Sequence, residues 1–85
     1  MSESKTHKVT LYNNDTLSFQ YVIAGLVAVC NHTPIQAEQC AVIAHQKGKV
    51  DIASGSFDKM YEILETLDHI NLEVSLEQYE SNLYR

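Results

Sequence analysis

The chain has 85 residues, room for one small core and no second domain, so nearly every apolar face must share that core. Apolar residues make up 45% and charged residues 20%, which excludes a disordered chain and predicts a globular one. Eleven acidic against six basic residues give a net charge of −5, and a field of that sign repels phosphate backbones and anionic lipid, so neither nucleic acid nor membrane is an expected partner.

Residues 1–7 are polar and are expected to form a flexible arm. "KVTLY" at 8–12 alternates, with Val9 and Leu11 on one face, as a half-buried strand does. From Ser18, a plausible N-cap, Phe19, Val22, Ile23, Leu26, Val29 and Cys30 recur at helical spacing. The apolar run "YVIAGLVAVC" inside this segment is too short to span a bilayer, and the N-terminus does not read as a signal peptide, so a cytoplasmic protein is expected.

"NHTPIQ" at 31–36 separates two helices: Thr33 caps the second, Pro34 suits its first position and Gln36 completes a capping box. That second helix is predicted from Pro34 to Gln46, ended by Gly48, with Ile35, Ala37, Cys40, Ala41, Val42 and Ala44 on its apolar face and His45 in its last turn. "KVDIAS" at 49–54 alternates again. Gly55 and Ser56 open a third helix with Phe57, Met60, Tyr61, Leu64 and Leu67 as its stripe. "NLEVSLE" at 71–77 reads as the last strand, with Leu72, Val74 and Leu76 on one face, and 78–85 as a polar tail.

The expected fold is therefore α+β: a single domain over 8–77, ordered β-α-α-β-α-β, with a three-stranded sheet covered on one face by three helices. Cys30 and Cys40 both fall on apolar helical faces and are expected to be free, buried thiols rather than a disulfide.

Catalytic and metal chemistry find little support. Cys40 and His45 are five residues apart on one helix, so their side chains diverge by well over ~100°, and the spacings of His7, His32, His45 and His69 match no standard zinc site. There is no Gly-rich phosphate loop, G-x-S-x-G or H-E-x-x-H, so neither an enzyme nor a cofactor is expected. What remains is the run Asn13, Asn14, Asp15 together with His45. By themselves the first three read equally as an Asx-type turn with helix capping, and His45 as a C-terminal helical histidine interacting with the dipole.

"KVTLYNND", a helix opening at Phe19, then "QAEQCAVIAHQKGK", a short strand, a helix and "LEVSLE" together resemble the ClpS family, adaptors that hand N-degron substrates to the Clp protease. The resemblance covers residues 7–77, and "VCNHTPIQAEQC" is similar to the variants of Bacteroidetes-type bacteria. It implies a monomeric adaptor whose partners are substrate proteins bearing an N-degron and a ClpA- or ClpC-like AAA+ unfoldase. It also implies that Asn13, Asn14, Asp15 and His45 bind the substrate's α-ammonium. Leu17, Phe19, Val22, Ala41, Ala44 and Leu72 would then line an apolar pocket for its side chain. The competing reading is an interaction domain of the same fold whose pocket is altered or lost.

Several positions depart from the family pattern. Asn14 stands where Asp is usual, Leu17 where Thr is common, and Ala41 and Ala44 where Met or Val occur. A roomier, less strict pocket is expected, tolerant of Ile, Val and Trp. The arm before the first strand is also shorter than in adaptors that deliver substrates.

Overall fold

The computed structural model describes residues 6–79; most of the expected arm, 1–5, and of the expected tail, 80–85, lies outside the described residues. Six elements follow in the order β1 (His7–Tyr12), α1 (Phe19–Cys30), α2 (Pro34–Lys47), β2 (Lys49–Gly55), α3 (Phe57–His69) and β3 (Val74–Gln78). They form the expected α+β domain, an antiparallel sheet of order β2-β1-β3 under three helices. His7 and Gln78, read from sequence as arm and tail, belong instead to the sheet, because they stand opposite each other across the β1–β3 ladder.

Local chemistry sets most boundaries. Ser18, Thr33 and Ser56 each accept a backbone N–H from the first turn of the helix that follows, and Thr33 and Gln36 form the full reciprocal capping box. α2 ends at Gly48, whose φ of 94° is left-handed and whose N–H donates to Ala44 O at 2.8 Å.

The last strand starts later than its alternation predicts. Asn71 takes a φ of 72°, and Leu72 N–H donates back to Leu67 O at 3.1 Å, so residues 70–72 finish the turn after α3 before pairing begins. The connection stays closely packed all the same: Leu72 is buried, and Gly25 of α1 lies so near that a Cβ there would come within 3.2 Å of Leu72 Cδ1 and Ile70 Cδ1.

Val9, Leu11, Leu26, Leu67 and Leu72 form the centre of the core, each at most 2% exposed. Strand β2 carries a bulge: Val9 pairs with Ala53 but Thr10 with Asp51, which leaves Ile52 as the extra residue. Ile52 and Ala53 therefore both pack on the core. The Ile52 carbonyl accepts from His32 Nε2 at 2.8 Å, tying the α1–α2 connection to the sheet and fixing Nε2 as the protonated nitrogen of that ring.

On the sheet's other face the inward-outward alternation of β1 presents Lys8, Thr10 and Tyr12. Thr10 and Lys8 bond Asp51 at 3.1 and 3.2 Å, and Tyr12 bonds Ser75 and Glu77, each at 3.1 Å. This polar mesh satisfies a face that no helix covers, and it holds the end of β1 where the chain turns towards α1.

Candidate functional site

That turn is the "NND" run. Asn14 O accepts from Leu17 N–H at 3.2 Å, and the Asn14 side-chain oxygen accepts from both the N–H and the hydroxyl of Thr16, at 2.9 and 2.6 Å. Asn14 thus carries the Asx turn, and its acceptor is spent on the local backbone.

Asn13 is free of that duty. Its N–H donates to Gly48 O at 3.0 Å, which pins the end of β1 against the C-terminal turn of α2, one turn beyond His45. Asn13 Nδ2 donates to Asp15 Oδ1 at 3.0 Å. A carboxylate only accepts, so this contact turns the amide nitrogen towards Asp15 and leaves Oδ1 without a hydrogen-bond partner among the described residues. Asp15 is therefore a positioning group for Asn13 as well as a local negative charge.

These residues border a cavity of about 130 Å³ between the β1–α1 turn, α1, α2 and the segment entering β3. Every residue expected from the sequence meets there: Asn13, Asn14, Asp15 and His45, with Leu17, Phe19, Val22, Ala41, Ala44 and Leu72. Ala41, Ala44 and Leu72 form a buried floor, whereas Phe19 and His45 are exposed and meet edge to face, ring centroids 5.7 Å apart at 76°. The Phe19 ring thus packs against the imidazole at the mouth.

Leu11, Tyr12 and Glu73 also line the cavity. They meet where the last rung of the sheet closes, Tyr12 N–H donating to Glu73 O at 2.8 Å. This is a long-range juxtaposition for which the local sequence holds no signal.

The surroundings set the chemistry. No Lys or Arg is among the lining residues, while Asp15 and Glu73 carry carboxylates, so the mouth favours a cation over an anion. Among the described residues no group of three or more His, Cys, Asp or Glu side chains is placed to hold a metal, and no helix is long and apolar enough to cross a membrane. The arrangement can receive a small apolar group in its floor and a positively charged hydrogen-bond donor at its rim.

Comparison with known proteins agrees in fold and goes further in family. The structure of Agrobacterium tumefaciens ClpS2 bound to L-phenylalaninamide is similar to this chain with a TM-score of 0.80 at 22% identity, covering 88% of this chain and 98% of that one. No curated protein matches the chain significantly. Residues 2–75 match the family described as ATP-dependent Clp protease adaptor protein ClpS, whose members are adaptors rather than catalysts. With nearly the whole fold inside that match, the chain belongs to the ClpS family.

Proposed function

We propose that this protein binds the first residue of substrate proteins, a bulky apolar N-degron, and delivers them to a ClpA- or ClpC-like AAA+ unfoldase. The observation that carries the reading is the cavity itself, with an apolar floor beneath a rim that sets the Asn13 carbonyl, unpartnered among the described residues, beside His45. An α-ammonium has three N–H donors and one positive charge and needs convergent acceptors. Asn13 Oδ1 supplies one, a His45 ring nitrogen a second, and Asp15 a charge complement.

The side chain of that first residue enters the apolar floor. A volume of about 130 Å³ is close to that of cavities that hold benzene, ~150 Å³, so Leu and Phe are suitable occupants. Ala41 and Ala44 leave space for the β-branch of Ile or Val. An indole exceeds the volume unless exposed Phe19 swings aside, so Trp tolerance depends on that side chain. Burial of Leu or Phe contributes roughly 1.5 to 3 kcal/mol, on the scale of the charged hydrogen bonds at the rim.

L-Phenylalaninamide, the ligand of the similar Agrobacterium tumefaciens ClpS2, is a free α-amino group beside a benzyl side chain, the same pair of features. The loop sequence "VCNHTPIQAEQC" supports a Bacteroidetes-type variant of the family. An altered or lost pocket, the competing reading, fits less well with a cavity that stands open.

Fluorescence anisotropy with peptides beginning Leu, Phe or Ile, each beside its Nα-acetylated copy, tests the reading. The free-amine peptides bind and acetylation abolishes binding; equal binding of both copies, or of neither, overturns it.

A further inference from the structure

A second concavity, of about 300 Å³, lies between α3 and β3 and shares no residue with the pocket above: Tyr61, Leu64 and Val74 form its floor, Glu65 and Asp68 its rim. Residues 57, 61, 64 and 68 follow one line along α3, distinct from the Met60 and Leu67 line that enters the core. Tyr61 is 44% exposed and stacks on Phe57, 47% exposed, ring centroids 5.7 Å apart, so the apolar floor continues along the helix as an aromatic ledge.

The charge around this ledge is one-sided. Asp58, Glu62, Glu65 and Asp68 are all exposed on α3, whose one lysine is Lys59. Lys8 pairs with Asp51 and Glu77, and neither Glu65 nor Asp68 has an ion pair among the described residues. Glu65 only accepts the Tyr61 hydroxyl, at 2.8 Å.

Beside the concavity runs an open strand. β3 is an outer strand and pairs only with β1 among the described residues, so the N–H and C=O groups of its other edge are not used by the sheet. An unpaired edge next to an apolar ledge is what strand addition requires, with main-chain bonds giving affinity and alternate side chains giving selectivity.

We propose that an extended, basic segment of a partner protein docks here as a fourth strand beside β3. Its apolar side chains settle on Tyr61, Leu64 and Val74, and its Arg or Lys side chains meet Glu65 and Asp68. A second copy of the chain is a poor occupant, because pairing β3 with β3 sets two acidic rims against each other. The site is independent of the N-terminal-residue pocket, so the two readings stand or fall separately.

The test is an NMR titration with the N-acetylated, C-amidated peptide Val-Thr-Arg-Thr-Val-Thr-Arg, whose blocked amine keeps it out of the first pocket. Amide signals of residues 74–78 shift and exchange more slowly, and Tyr61 and Leu64 signals move with them. The Glu65→Lys/Asp68→Lys variant weakens this binding by roughly tenfold or more and leaves binding of a Phe-initiated peptide unchanged, and a peptide with Glu in place of Arg does not bind. The proposal is overturned by absence of binding at millimolar peptide, by shifts on α3 without slowed exchange on β3, by shifts centred on Asn13 and His45, or by an unaffected charge-reversed variant.

Discussion

Within three consecutive residues the "NND" run divides its labour. Asn14 makes the turn, Asp15 orients its neighbour, and Asn13 is left with a carbonyl at the cavity that has no partner among the described residues. Truncating Asn13 or His45 to Ala removes one acceptor from a bound ammonium, so each change weakens peptide binding by ~1 to 3 kcal/mol in anisotropy, with the fold retained. Asn14→Asp is the informative opposite. A carboxylate oxygen accepts from Thr16 as the amide does, so the turn survives while a negative charge is added near the ammonium. Affinity rises by ~0.5 kcal/mol at low ionic strength, and the gain shrinks in salt. Away from the site, burial, aided by nearby Cys40, pushes the Cys30 thiol up to about 11. Little thiolate therefore exists at neutral pH, and alkylation of native Cys30 near pH 8 runs ~100-fold slower than in the unfolded chain, accelerating as the pH is raised.

At the level of elements, the helix boundaries carry the energetics most open to test. Gly48 is the hinge between α2 and β2, with φ at 94° and no atom within 4 Å of where a Cβ would sit. Gly48→Ala therefore costs only the backbone strain of a left-handed residue, ~1 kcal/mol, read as a fall of roughly 4 to 8 °C in Tm. Peptide affinity stays as it was, because the Gly48 carbonyl that holds Asn13 is a main-chain group. The same elements show why some features are legible in sequence. Ser18, Thr33, Pro34 and Gly48 act on their immediate neighbours, so capping and termination can be read without knowing the fold. The start of β3 cannot: Leu72 alternates with Val74 and Leu76 as a strand residue does, but its N–H is claimed by Leu67 of the preceding helix. The bulge at Ile52 is equally hidden, since an extra residue in one strand has meaning only against the register of its partner. The lining of the cavity follows the same division. Ten of its residues are the ones the family resemblance implies, whereas Leu11, Tyr12 and Glu73 arrive through the closing rung between two strands far apart in sequence.

For the whole molecule, the decisive fact is that pocket and core are made of the same side chains. Leu11, Ala41, Ala44 and Leu72 line the cavity and are at the same time buried, at 5% exposure or less. An 85-residue domain has little stability to spare, so a ligand that fills the cavity acts directly on the folding equilibrium. A ligand bound only by the native state at 100 times its Kd stabilises by ~2.7 kcal/mol. For a domain of this size that corresponds to a rise in Tm on the order of 10 °C or more. Thermal unfolding with saturating L-phenylalaninamide should show this shift, while N-acetyl-L-phenylalaninamide, equally apolar but without the ammonium, should leave Tm unchanged. Equal shifts from the two compounds would mean that the cavity reads apolar surface alone, and the Asn13 and His45 rim would have no part in recognition. In the His45→Ala variant, at the same ligand concentration, the stabilisation should fall with the affinity lost in direct binding, towards zero where that loss approaches ~2.7 kcal/mol. That agreement is what linkage requires of a ligand bound by the native state alone, and a shift that stays at its wild-type size while direct binding weakens would mean that the ligand stabilises the fold from somewhere other than the His45 rim.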